Sequence, residues 1–198
     1  MIVGDDKRMA KKYLGVKPYL FPMPVLMIAT YCEDGSVDVM NMAWGGICDN
    51  NKVALNITES HKTSQNIKER GAFTISVADI PHLRESDFFG TASGNRMKDK
   101  IERSDMHAVK SERVDAPIIE EYPITLECKV DKIQKDEDGF RVVGEIVNVL
   151  ADESVLDDNG KVDPTKLNAF VFDQFQNGYY AIGEKVGEAW KSGNKYMK

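Results

Sequence analysis

The feature that most constrains this chain is a long hairpin signature near its centre. Ile124–Ile133 and Phe140–Val149 are apolar-rich runs of strand length, and they flank the turn cluster Lys135-Asp136-Glu137-Asp138-Gly139. Leu126, Cys128 and Val130 fall on one face, as a half-buried strand requires. Shorter strand signals precede it. Pro24–Tyr31 is an apolar run closed by the turn signal Glu33-Asp34-Gly35, and Val37–Met42 alternates and should return beside it as a second hairpin. Lys52–Thr58 follows the Asp49-Asn50-Asn51 turn, and Ala72–Val77 alternates with Phe73, Ile75 and Val77 on one face.

Helical signal is sparse. Thr63–Arg70 carries Ile67 as its apolar anchor and ends at Gly71, a natural left-handed stop. Residues 79–116 read as short helices and loops, and the first twenty residues as a surface arm or short helix. Strands do not alternate with long helices, which argues against a parallel doubly wound sheet. Short antiparallel strands escape exposed edges by closing into a barrel or pairing across a dimer. The expected fold is mostly β with helical decoration, an antiparallel, Greek-key-like barrel in one domain over residues 1–198, with 179–198 as a C-terminal segment.

The net charge of −6 disfavours unspecific attraction to nucleic acid or an anionic membrane. An anionic ligand would need a local cluster of donors. No apolar run approaches the roughly 18–20 residues that span a bilayer, and the N-terminal residues lack the apolar core of a signal peptide. Cys32, Cys48 and Cys128 are odd in number and widely spaced, which suits three buried reduced thiols. A cytoplasmic protein is expected. His61, His82 and His107 lie far apart, and no metal site is expected. Asp136-Glu137-Asp138 lacks calcium-loop spacing, and no serine sits in a nucleophile elbow.

The densest chemical signal is Thr58-Glu-Ser-His-Lys-Thr-Ser-Gln-Asn-Ile67. A strand ends at Thr58 and a helix starts near Thr63 or Ser64, so its first turn offers unpaired N–H groups and a partial positive charge to a phosphate. Ser60, Thr63 and Ser64 add hydroxyls, Lys62 a cation and Asn66 an amide. No GxxxxGK[ST] or GxGxxG motif occurs. The plainer alternative is that Thr63 or Ser64 merely caps the helix. Upstream, Val39–Cys48 combines Asn41, small Ala43, Gly45 and Gly46, and planar Trp44. Such a segment lets a flat ligand approach the backbone, or else holds a core tryptophan beside a glycine bulge.

The ordered string NMAW…ICDNNKVALNITESHKTSQNIKERGAFTISV, with Phe89-Gly-Thr-Ala-Ser-Gly94, Asp99-Lys100-Ile101 and Tyr179–Gly187, resembles the flavin-reductase-like/flavoredoxin family of FMN-binding split barrels. The resemblance runs from about Pro24 to the C-terminus. It implies a homodimer with FMN near the subunit interface. Ser60, His61, Lys62, Thr63 and Asn66 would surround the phosphate and ribityl chain, beside Thr58. Asn41, Met42, Ala43 and Trp44 would line the flavin ring. Ser93, Gly94 and Lys100 would add a second segment, with Lys100 as a second cation, and Trp190 would cover the pocket. Trp44 stands where many members have serine, a larger residue toward the nicotinamide side. The chemistry would reside on the flavin, with no catalytic side chain. The implied activity passes reducing equivalents from NADH, NADPH or a redox protein through FMN to an acceptor; the alternatives are a non-enzymatic FMN electron carrier, and a binding module that has lost FMN.

Overall fold

The computed structural model describes residues 11–136 and 139–197. Glu137 and Asp138, the middle of the expected 135–139 turn, and residues 1–10 of the arm lie outside them. In chain order the strands are β1 (Met23–Pro24), β2 (Leu26–Tyr31), β3 (Val37–Met42), β4 (Gly45–Asp49), β5 (Lys52–Ile57), β6 (Ala72–Val77), β7 (Ala108–Lys110), β8 (Pro117–Ile119), β9 (Ile124–Asp136), β10 (Gly139–Ala151), β11 (Phe170–Asp173) and β12 (Gly178–Ala181). The α-helices are α1 (Lys62–Arg70), α2 (Leu83–Thr91) and α3 (Lys100–Ser104).

Seven strands form one antiparallel sheet in the order β3-β2-β6-β9-β10-β5-β4. Its two edge strands, β3 and β4, are joined by Ala43 and Trp44 alone. Two residues reach only a few ångströms, so the sheet must roll until its first and last strands meet. The closure is incomplete. β4 pairs with β5 only between Lys52 and Leu55, and the Asn56 N–H reaches the Trp44 carbonyl at 2.9 Å, so Ile57 runs on beyond that partner and looks across a gap at β3. That gap is the split in the barrel, and it positions the site.

Alternation explains the core. Leu26 and Ile28 of β2 point into the barrel with Leu55, Phe73, Ile75, Cys128 and Val142, and Ile67 of α1 joins this cluster. Val25, Met27 and Ala29 point outward but are also buried, under Phe89 of α2, Ile119 of β8 and Phe170 of β11. A strand covered on both faces needs no polar side, and hence β2 reads as an unbroken apolar run. β9 and β10 make the long hairpin expected of them, with two register shifts.

A three-stranded sheet, β1-β11-β12, lies outside the barrel, and β7 and β8 form a separate pair. Residues 11–22 are exposed and, before β1, contain no helix. The C-terminal segment gains one strand, β12, and residues 181–197 are exposed. Among the described residues no helix is long and apolar enough to cross a membrane, and no cluster of His, Cys, Asp or Glu could hold a metal ion.

Candidate functional site

The gap opens into a slot of about 540 Å³. Met40, Asn41 and Met42 of β3 form one wall, Asn56 and Ile57 of β5 with Phe140 of β10 another, and Trp44 stands at one end. Thr58 and His61 complete it at the other. Thioethers, an aromatic ring and two carboxamides suit a flat, mostly apolar body with polar edges. Asn41 is held from behind: its Nδ2 donates to the Ser86 carbonyl of α2 at 2.9 Å.

Met40, Asn41 and His61 also border a second compartment of about 260 Å³, so the two are continuous. The second one lies over the start of α1 and is walled by Lys62, Thr63, Ser93, Gly94 and Lys100. His61 is the N-cap residue of α1, with extended backbone, and no side chain caps the helix. Thr63 and Ser64, the capping candidates, sit one and two residues inside α1. The Thr63 hydroxyl donates to Asp38 Oδ2 at 2.6 Å, and the Ser64 hydroxyl to the Thr58 carbonyl at 2.7 Å. The first-turn N–H groups of Lys62, Thr63 and Ser64 therefore find no capping oxygen among the described residues. Gly94 closes the opposite wall tightly. A Cβ there would stand 2.2 Å from Asp38 Oδ1 and 3.1 Å from Lys62 Cβ.

Charge in this compartment is nearly balanced. Lys100 is buried, its ammonium 2.6 Å from Asp38 Oδ1 and donating to the Val39 carbonyl. Oδ1 has no hydrogen-bond partner, so the ammonium approaches off the hydrogen-bonding direction and the contact is an ion pair. Two ammonium groups, Lys62 and Lys100, stand against the single Asp38 carboxylate. Lys62 has no ion-pair partner among the described residues. It is the cation left for a ligand.

The fourteen residues singled out from sequence divide. Asn41, Met42, Trp44, Thr58, His61, Lys62, Thr63, Ser93, Gly94 and Lys100 line the two compartments. Ala43 instead faces a neighbouring groove of about 340 Å³ behind Trp44. Asn66 is fully buried, its Nδ2 donating to Thr30 Oγ1 at 3.0 Å, and it lines neither compartment. Ser60 lies outside too, its carbonyl accepting from Asn95 Nδ2 at 2.8 Å. Lys100 does line the compartment, but its charge is already matched by Asp38. Trp190 is 95% exposed and covers nothing within this chain. Met40, Asn56, Phe140 and Asp38 were missed. Asn56 and Asp38 did leave a trace, as polar residues within otherwise apolar strand segments.

The aromatic sheet outside the barrel abuts the site. Phe172 of β11 packs on Trp44, and Tyr179 of β12 packs on Phe172 and Phe170. Tyr179 donates to Asp87 Oδ1 at 2.9 Å, and burial together with that carboxylate pushes its hydroxyl up to about 12. It stays protonated at neutral pH and acts as a donor.

The model of a flavin reductase-like domain matches residues 19–167. An uncharacterised protein of Archaeoglobus fulgidus is 30% identical over 157 residues, 78% of this chain and 86% of its own length. Among solved structures, flavoredoxin of Desulfovibrio vulgaris superposes with a TM-score of 0.88 at 33% identity, over 93% of this chain and all of that one. Flavoredoxin from Methanosarcina acetivorans gives a TM-score of 0.86 at 24% identity, over 95% and 100%.

Proposed function

The chain belongs to the flavin reductase-like family, and from that premise we propose that it is an FMN-dependent oxidoreductase, passing reducing equivalents from NADH, NADPH or a redox protein to an acceptor. The observation that carries this reading is the uncapped N-terminus of α1 opening beside Lys62 into a compartment continuous with the slot. Three free N–H groups, a helix dipole and one unpaired ammonium suit a phosphate. The slot of Met40, Met42, Ile57 and Phe140 suits a planar ring system, and Gly94 lets its segment close on Asp38 and Lys62, where any Cβ would collide.

Bound FMN would supply the two-electron redox chemistry. The protein's part is binding and shaping. Lys62 and the first turn of α1 hold the phosphate. Asn41 and Asn56 offer carboxamides at the slot's edge, and Trp44 limits access from its end. No side chain is assigned a proton-transfer role.

An absorption spectrum of the purified protein, taken after incubation with FMN and removal of free flavin, tests the reading. A retained and shifted two-band spectrum supports it, and a colourless protein defeats it. The similarity to flavoredoxin and the half-exposed Trp44 at the mouth of the slot favour a second reading, an electron carrier with FMN held permanently. Negligible steady-state NADH and NADPH oxidation by flavin-loaded protein would select it.

A homodimer accompanies either reading. The C-terminal segment presents Ile182, Val186, Trp190 and Met197 to solvent, apolar side chains that a second copy of the chain would cover. Light scattering after size exclusion should give twice the 22.2 kDa chain mass; a monomer at micromolar concentration would remove the dimer. The cysteines are free, Cys32 and Cys128 buried and Cys48, against the expectation, exposed; with the net charge of −6 they accord with the cytoplasm and with no nucleic-acid partner.

A further inference from the structure

We propose that Asp38 is the positioning residue of the phosphate compartment, a buried carboxylate that fastens its three walls together and cancels the charge of Lys100. The proposal rests on the flavin reading above. Asp38 lies on β3 and is 3% exposed. Its Oδ2 takes the Thr63 hydroxyl from the first turn of α1 at 2.6 Å. Its Oδ1 takes the Lys100 ammonium from the first residue of α3 at 2.6 Å. Gly94, on the segment between α2 and α3, packs so closely on the same carboxylate that no larger residue fits. One side chain thus ties β3 to α1 and α3 and packs against the segment between α2 and α3.

Two consequences follow from the chemistry. The Thr63 hydroxyl is drawn inward to Asp38 and the N-cap residue His61 supplies no capping side chain, so the first-turn N–H groups stay available. The Lys100 ammonium, buried and matched, is not a ligand for the phosphate; Lys62 is. A buried ion pair whose members depend on each other is damaged more by losing one charge than by losing both.

The experiment is a double-mutant cycle on Asp38→Asn and Lys100→Met, read as dissociation constants for FMN and for riboflavin, which lacks the phosphate, by quenching of flavin fluorescence. Thermal melting of the apoprotein is followed alongside. Lys100→Met should weaken FMN roughly tenfold or more while changing riboflavin only about threefold, because the orphaned Asp38 carboxylate repels the phosphate alone. Asp38→Asn orphans the Lys100 ammonium instead, which attracts a phosphate, and should not discriminate against FMN in this way. The double variant should recover most of the FMN affinity. Its salt dependence should match that of the parent, since Lys62 still supplies the contact. Thr63→Val, which removes one tie and no charge, should also lower the FMN-to-riboflavin preference and keeps the idea testable if a charge variant does not fold. A double variant that binds FMN no better than Lys100→Met would overturn the proposal and make Lys100 a phosphate ligand. Equal losses for FMN and riboflavin in Lys100→Met would overturn it too, reducing the Asp38–Lys100 pair to general stability. A parent protein that binds neither flavin would remove the flavin reading and the proposal with it, an outcome distinct from both.

Discussion

Trp44 leans on Phe172 with ring centroids 6.4 Å apart and planes inclined by 46°. The contact ties the short link between the barrel's two edge strands to the outer sheet, and it holds a half-exposed indole over the end of the slot. A nicotinamide approaching a ring held in the slot would meet that indole. Trp44→Ser should therefore raise NADH or NADPH oxidation by flavin-loaded protein, by roughly tenfold in kcat/KM, with flavin affinity reduced much less. Stopped-flow reduction of bound flavin measures the step directly. An unchanged or lower rate would show that the indole does not limit access.

The helix start offers a sharper trade. His61 is an N-cap residue without a capping side chain, so His61→Asp should supply the missing acceptor. The apoprotein should gain ~1 kcal/mol, within the usual range for a restored cap. The same carboxylate would occupy the N–H groups and repel a phosphate, weakening FMN by at least about tenfold. Melting temperature and FMN dissociation constant should thus move in opposite senses. If both fall, the first turn of α1 is not the phosphate site.

Much of this was legible in the residues. β3 was read as Val37–Met42 and is found there, and the Ala72–Val77 strand and the central hairpin followed from apolar runs and turn chemistry. β4 was not foreseen. Its Gly-Gly start carries no strand signal and its residues stay largely exposed; it exists because β5 offers a partner. β11 and β12 are four residues each and are assembled with the two-residue β1, a pairing that only tertiary contact decides. The site shows the same boundary. The segment 58–66 was located by its polar residues, but Thr63, Ser64 and Asn66 form the buried stripe of α1 together with Ile67. A helix whose buried face is polar gives no periodic warning, so hydroxyls expected to meet a ligand turn instead to Asp38 and Thr58. Trp190 was expected over the pocket and lies in solvent, since nothing in one chain comes near enough to cover.

The barrel interior tolerates little at the hairpin's register shift. Gly144 faces Phe73, and a Cβ there would stand 2.5 Å from the ring's Cζ and 3.4 Å from Cys128 Cβ. The pairing with β9 shifts between Val143 and Gly144, so the backbone cannot slide away without breaking the ladder. Gly144→Ala should cost ~1–3 kcal/mol through overpacking. At ~2–4 °C per kcal/mol for a chain of this size, the melting temperature should fall several degrees. Gly144→Ala with Phe73→Leu should recover part of the loss, and a fully additive pair would show that the ring is not the obstacle.

Alkaline pH should expose a set of buried weak acids. Burial pushes the Cys128 thiol up to about 12 from an ordinary value of 9.0, raises the Tyr122 hydroxyl, and lifts Tyr179 to about 12 from 10.0. Each group binds its proton more tightly when folded than when unfolded. The stability they contribute is complete below the unfolded values and is lost as pH rises from about 9 toward 12, through the folded ones. The limiting slope is about 1.4 kcal/mol per pH unit for a buried group that holds its proton only in the folded state, and less for the half-buried Tyr179, which water screens. Urea unfolding should give constant stability between pH 7 and 8 and a steepening decline above 9. Cys128→Ala should flatten the first part of that decline, and Tyr122→Phe and Tyr179→Phe the part above 10. A stability that holds level to pH 11 would mean that these side chains meet water far more freely than their packing in the two cores implies.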